Sequence, residues 1–256
     1  MSDSLLEVRN VSLQFNVDPV RGWTFRDVFT DWAKDPIRRS RRERTKLKVL
    51  NNVSFEVRTG ERVGLIGLNG VGKTTLCRCI AGIYRPSSGA IRAPSDIRAV
   101  FSTAVGIQPD LTGRENAKLL SHFIFPHEPD TGKLVEEALD FSELGKFLDM
   151  PYRTYSNGMQ TRLTLSLISA KPAALFILDE VFEGADQFFR EKISKRMLDV
   201  LHQSGAALFV SHSADQIRRV CTRLVILDAG RIGFDGAVED GLRFYDRNQS
   251  QTASNS

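Results

Sequence analysis

The run Gly67-Leu68-Asn69-Gly70-Val71-Gly72-Lys73-Thr74-Thr75 constrains this chain more than any other feature. It satisfies the pattern G-x-x-x-x-G-K-[ST], in which a glycine-rich loop closes around phosphate oxygens. Glycine lets backbone N–H groups turn inward around an anion. A helix starting at the end of the loop adds about half a positive charge facing that anion. The pattern needs a strand before it and a helix after it. The run Arg62 to Ile66 reads as the strand, and a helix is expected from near Gly72 to about Ile83. Asn69, Gly70, Val71, Gly72 and Thr75 are therefore candidate phosphate contacts. Lys73 is the candidate cation for the β- and γ-phosphates, and the Thr74 hydroxyl is a candidate ligand for Mg²⁺. The complete pattern in this context argues against a glycine-rich turn that binds nothing.

A second signal is Leu175-Phe176-Ile177-Leu178-Asp179-Glu180. Two acids at the end of an apolar strand are hard to explain as core, because a buried carboxylate without a partner is expensive. A Mg²⁺-ATP complex supplies the partner. Asp179 is the candidate metal ligand, directly or through water, and Glu180 the candidate general base for the attacking water. A third signal is His212, directly after the apolar strand 206–210 and Ser211. All three signals lie just past the carboxyl ends of expected strands, where ligands bind in open α/β sheets. His212 is thus a candidate γ-phosphate contact. His122, His127 and His202 lack that context and read as surface or packing residues.

The rest of the chain supports an α/β protein with a parallel sheet. Strands are expected over 5–17, 47–58, 62–66, 173–178 and 206–210, with a hairpin formed by 223–228 and 231–234 around Ala229-Gly230. The continuous apolar run at 173–178 suits a strand covered on both faces. Helices are expected over much of 114–147, broken near Pro126 and Pro129, from Gly158 to before Pro172, over 187–203 and over 214–221. The alternation of strands and helices is the parallel-sheet pattern. Residues 23–33 read as a short helix carrying Trp23, Phe25, Val28, Phe29 and Trp32. The tail from Asn248 to Ser256 is polar and expected to fray.

The net charge is +4, yet residues 34–48 hold eight bases and two acids, so the remainder is about −2. The basic character belongs to one segment, which argues against a nucleic-acid-coating role. No apolar run approaches the roughly 18–20 residues that cross a bilayer. Met1-Ser2-Asp3-Ser4 does not resemble a signal peptide. Cys77, Cys79 and Cys221 are odd in number and suit a reducing compartment better than a disulfide framework.

Residues 155–167, Tyr-Ser-Asn-Gly-Met-Gln-Thr-Arg-Leu-Thr-Leu-Ser-Leu, resemble the signature motif of ATP-binding-cassette (ABC) ATPases. Ser156, Gly158 and Gln160 supply its frame. Asn157 stands where most members have Gly, and because Asn tolerates left-handed backbone angles the turn is expected to survive. The resemblance covers nearly the whole chain. It implies a phosphate-loop ABC domain with a parallel-sheet ATPase core, an antiparallel β subdomain and a helical subdomain at about 106–170, all one unit over 1–250. It also implies a head-to-tail dimer holding two ATPs, each between one copy's phosphate loop and the other's signature.

Several runs look closer to the ATPase subunits of bacterial polysaccharide exporters of the capsule, O-antigen and teichoic acid type. These are Gly106 to Asn116 (GIQPDLTGREN), Glu143 to Lys146, Tyr155 to Met159 and Val210 to Ser213. That resemblance implies ATP-driven export of a lipid-linked polysaccharide through a separate membrane subunit, at the cytoplasmic face of the inner membrane. By the same resemblance Gln108 is a candidate Mg²⁺-sensing residue, with Thr103 the alternative by count, and Phe15 the candidate for stacking on adenine. Glu183 and Ala185 depart from the branch pattern. The segment 21–48 exceeds a minimal ABC domain. Its helix either meets lipid headgroups or the membrane subunit, or packs on the core with its charges solvated. An ABC exporter ATPase for another lipid or small molecule shares the same catalytic residues and is the alternative. A soluble non-transport ABC protein fits less well, because such proteins usually carry two cassettes or a long coiled coil.

Overall fold

The computed structural model describes residues 4–17, 45–101, 106–179, 187–211 and 213–254. The expected helix at 23–33, most of the basic window, Thr103, Glu180, Glu183, Ala185 and His212 lie outside the described residues.

Strand β1 (Ser4–Val17) buries Leu6, Val8, Val11 and Leu13, with Glu7 and Arg9 facing outward and Ser12 buried between Val11 and Leu13. It pairs antiparallel with β2 (Thr45–Arg58), whose Leu50, Val53, Phe55 and Val57 face the same core. The buried row survives a register shift between Val8 and Val11, where Asn10 turns into the left-handed region at φ 51°. On the other side of β1 lies β4 (Ser88–Arg92), also antiparallel. Its Ser-Gly-Ala-Ile-Arg sequence is largely exposed and has no apolar period, so nothing in the residues announces it.

The second sheet has the order β5-β6-β7-β3-β8-β9. Its members are β3 (Arg62–Ile66), β5 (Ile97–Val100), β6 (Leu175–Asp179), β7 (Ala206–Val210), β8 (Arg223–Asp228) and β9 (Arg231–Gly236). All neighbours are parallel except the β8–β9 hairpin. The apolar run of β6 is covered on both faces, as its composition suggested. Leu175 and Ile177 join one cluster with β1, β2 and helix α1 (Lys73–Ile80). Phe176 and Leu178 join another with α5 (Gln187–Gln203), α6 (Ala214–Val220) and α7 (Val238–Ser254). Helix α1 stops earlier than expected, at Ile80, where the Arg78 carbonyl takes the N–H groups of Ile83 and Tyr84. Helix α7 continues to Ser254, past Asn248, where fraying was expected.

A third cluster holds α2 (Gly113–Ile124), α3 (Gly132–Ser142) and α4 (Asn157–Ile168) together. Helix α2 begins with a capping box: Thr112 Oγ1 accepts from the Glu115 N–H, and Glu115 accepts from the Thr112 N–H at 2.8 Å. One turn in, Asn116 is fully buried. Its Oδ1 accepts from the Gln108 N–H at 2.8 Å, and its amide donates to the carbonyls of Gln108, Leu111 and Thr112. Asn116→Ala removes all four of these hydrogen bonds, although the three carbonyls keep the backbone N–H groups of Leu111, Tyr152 and Asn116 as donors. It is expected to cost about 2–3 kcal/mol in urea denaturation, and a loss below about 0.5 kcal/mol would show that water replaces the amide.

Candidate nucleotide-binding site

The sheet order brings the separate sequence signals to one edge. Strands β6, β7 and β3 are consecutive neighbours, and Asp179 registers with Val210, which registers with Leu65. The carboxyl ends of the three strands are therefore flush. The phosphate loop leaves β3, Asp179 closes β6, and Ser211 follows β7, with His212 next in sequence.

The loop is shaped to hold an anion. Gly72 has φ 108°, and a Cβ there would lie 3.1 Å from the Val49 carbonyl oxygen and 3.1 Å from Leu50 Cδ2. Only glycine allows the loop to press on β2 while the helix starts immediately afterwards. Asn69 and Gly70 form the exposed crest, and Val71 packs down on the core. Lys73 is buried, and its Nζ donates to the Gly67 and Leu68 carbonyls at 2.8 and 3.1 Å. The ammonium is thus held inside the curve of the loop. Thr75 lies half-buried on α1, one residue past Thr74.

Thr74 Oγ1 donates to Asp179 Oδ2 at 2.6 Å, across 105 residues of sequence. The pair joins the loop to the acidic strand. A hydroxyl beside a carboxylate is an all-oxygen donor set, which suits a hard divalent cation such as Mg²⁺ that keeps waters and phosphate oxygens in its shell. Behind the pair lies Cys77, fully buried. Its thiol is pushed well up, first by burial, then by the charges of Asp179 and Cys79, with Lys73 pulling the other way. Cys77 therefore stays neutral and serves as packing.

The signature segment is built separately. Ser156 caps α4, its Oγ accepting from the Met159 N–H at 3.3 Å. Ser156 and Asn157 are exposed, so the helix N-terminus is offered to solvent, with Gly158 half-buried behind it. The Gln160 side chain donates back to the Tyr155 carbonyl at 3.3 Å. Tyr155 is buried, stacks on Tyr152 with centroids 5.0 Å apart, and donates to the Phe147 carbonyl at 2.6 Å. Its hydroxyl occupies the space that a Cβ on Gly113 would need, only 2.0 Å away. The motif runs around Gly113 and Tyr155 are thus two halves of one fit.

A family model described as ABC transporter matches residues 50–183. The chain belongs to the ABC transporter family. It is 38% identical over 193 residues to the O-antigen export system ATP-binding protein RfbE of Yersinia enterocolitica, covering 75% of this chain and 81% of that protein. It is 33% identical over 198 residues to the teichoic acids export ATP-binding protein TagH of Lactococcus lactis, covering 77% of this chain and 42% of that one. A solved ATP-binding subunit of an ABC transporter superposes with a TM-score of 0.70 at 25% identity, covering 95% of this chain and 94% of its own. An ATP-binding cassette solved as a dimer with ADP and phosphate shares the fold at a TM-score of 0.70 and 20% identity. The chain is accordingly an ABC ATPase domain, related to the O-antigen and teichoic acid export ATP-binding proteins.

Within the ABC fold some candidate residues are placed differently from expectation. Asn157 is the first helical residue of α4 and is absent from the non-glycine positions with positive φ. The turn needs no left-handed residue, because Ser156 caps the helix from extended backbone at φ −67°, ψ 160°. Gln108 is exposed and anchored through its backbone to Asn116, and no described contact joins it to Thr74 or Asp179. By contrast Val100 registers with Leu178, so the chain leaves β5 beside Asp179, and Thr103 follows shortly in sequence. Phe15 lies on the core side of β1, two residues or about 7 Å past Leu13, whose register partner Leu50 packs on Gly72. The Phe15 ring meets Tyr84 edge-on at 5.8 Å, and Tyr84 is a second aromatic there that the motifs do not mark. No helix among the described residues is long and apolar enough to cross a membrane.

Proposed function

We propose that this chain is the ATP-hydrolysing subunit of an exporter that drives a lipid-linked polysaccharide across the cytoplasmic membrane. It would act through a separate membrane-spanning subunit, from the cytoplasmic face of the inner membrane. The observation that carries the ATPase chemistry is the Thr74–Asp179 contact, which joins loop and acidic strand at one point. The polysaccharide reading rests on the likeness to O-antigen and teichoic acid export proteins. In this reading the loop N–H groups of Asn69 to Thr75 and the Lys73 ammonium bind the phosphates. Thr74 and Asp179 hold Mg²⁺, which neutralises phosphate charge when bound. Glu180 takes the proton of the attacking water, His212 orients that water against the γ-phosphate, and Phe15 stacks on adenine. The position of β5 favours Thr103 over Gln108 as the residue that senses the metal.

The exposed helix end at Ser156 and Gly158, with Gln160 behind it, is offered to the ATP of a second copy. Two nucleotides are then held head-to-tail, and hydrolysis reopens the pair. Helices α2 and α3 and the turn after them form the face for the membrane subunit, where Phe123, Phe147 and Met150 are exposed. The test is light scattering with Mg-ATP on the native chain and Glu180→Gln. The expected result is a dimer that persists only in the variant. Monomers in both, with ATP bound, would overturn the sandwich for the isolated chain. Co-purification with a membrane subunit would then decide whether that partner is needed to bring two copies together.

A further inference from the structure

Glu143 sits where the backbone does not favour it. It follows α3 at φ 56°, ψ 26°, with its N–H on the Asp140 carbonyl. This is the left-handed helix-end position that glycine or asparagine fills at least cost. A glutamate in that conformation points to a task for its side chain.

The carboxylate lies where three helices meet. Lys192 on α5 donates to Glu143 Oε1 and, at 3.1 Å, to the Phe141 carbonyl, so one ammonium caps α3 and binds the acid. Arg162 on α4 reaches within 3.9 Å of the other carboxylate oxygen. Arg162 also lies over the Phe189 ring at 4.8 Å, and Lys192 and Arg196 lie over the Phe141 ring at 4.3 and 4.1 Å. Phe189 is buried near the start of α5, the helix next in sequence after Asp179 to Asp186. Arg162 stands six residues past Ser156 on the signature helix. A clamp of charges and rings, with Glu143 at its centre, therefore fastens the signature helix to the helix that follows the acidic strand.

We propose that Glu143 is a positioning residue for ATP hydrolysis. Its carboxylate sets the signature helix against α5, and so fixes the spacing between the two half-sites that each copy contributes. The inference rests on the sandwich reading above, in which one ATP meets the phosphate loop of one copy and the signature of the other. With the half-sites out of register, a dimer that closes on one nucleotide strains the second. The pair is itself half-exposed, with Glu143 at 45% and Lys192 at 31%, so its direct effect on stability is small.

The test is phosphate release against Mg-ATP concentration for the native full-length chain, Glu143→Gln and Glu143→Gly, with thermal melts of each. Glu143→Gln keeps the strained backbone and loses the charge. Glu143→Gly loses the charge and relieves the backbone. Both are expected to raise half-saturating ATP about 5-fold and to flatten the cooperativity, with kcat within about 2-fold. The melting temperature of Glu143→Gly is expected to equal or exceed that of the native chain by about 2 °C, while that of Glu143→Gln does not rise. Native ATP dependence in both variants overturns the inference and leaves the sandwich standing. An ATP dependence that is impaired in Glu143→Gln and normal in Glu143→Gly also overturns it, because the carboxylate would then serve only to hold its own strained backbone. A native chain that neither hydrolyses ATP nor binds it cooperatively overturns the sandwich for the isolated chain, and this inference with it.

Discussion

Asp179→Asn should lower phosphate release from ATP by about 10²–10³-fold, the usual cost of removing one preorganised electrostatic partner of a transferring phosphoryl group. Asn has nearly the volume of Asp and can still accept from Thr74 Oγ1, so the 2.6 Å contact between loop and strand survives in kind. What is lost is the negative charge at the candidate metal ligand. The fold should barely notice. Leu175 to Leu178 carry the burial of β6, and the Asp179 side chain lies at the half-buried rim. The melting temperature should stay within about 2 °C of the native value. Phosphate release and a thermal melt on the same preparation check both halves. Turnover above about a tenth of native would remove Asp179 from the catalytic machinery. A collapse of the melt would instead make it a structural residue.

Gly113→Ala should destabilise the helical unit by about 2–3 kcal/mol, although it adds a single methyl to a good helix former's position. The new Cβ would meet the Tyr155 hydroxyl at 2.0 Å and Cζ at 2.9 Å. The ring cannot swing aside, because it is buried, stacked on Tyr152 and tied to the Phe147 carbonyl. Tyr155→Phe alone should cost about 1 kcal/mol through the lost hydrogen bond. The double variant should cost less than the sum, because removing the hydroxyl opens the space the methyl needs. A urea-denaturation cycle measures the coupling. Additive losses would mean that the two motif runs are neighbours without being fitted to each other. Since Tyr155 precedes Ser156, Gly113→Ala should also weaken ATP-driven dimerisation.

Much of the site is legible along the chain because each piece is local. A phosphate loop is one continuous run, and its glycines, Lys73 and Thr74 are needed within a few residues of each other. The acidic strand is equally local, since burying Leu175 to Leu178 on both faces leaves only its end for charge. Strand β4 was not legible, because an edge strand that buries almost nothing leaves no apolar period. The backbone at Asn157 is not legible in the residues for a related reason. A cap from Ser156 and a left-handed turn look alike in residues and differ only in φ and ψ.

Residues that act at long range were hidden. Asn116 reads as an ordinary polar residue of a helix, yet its amide holds four backbone groups. Glu143 opens a run that resembles the exporter branch, but nothing in that run shows that it faces cations from two other helices. Both fall in runs that resemble the exporter branch, Gly106 to Asn116 and Glu143 to Lys146, but a run does not say what its side chains touch, since hydrogen bonds and ion pairs form between whatever the fold brings together.

By itself, then, the sequence determined the family, the α/β class and the residues of the phosphate loop and acidic strand, because short-range chemistry and strand periodicity demand them in fixed order. Only the tertiary structure decided that Thr74 meets Asp179, that Gly113 makes room for Tyr155, and that Glu143 joins three helices. Those contacts depend on strand order and helix packing, which are set by summed burial across the whole chain and by no single run of residues.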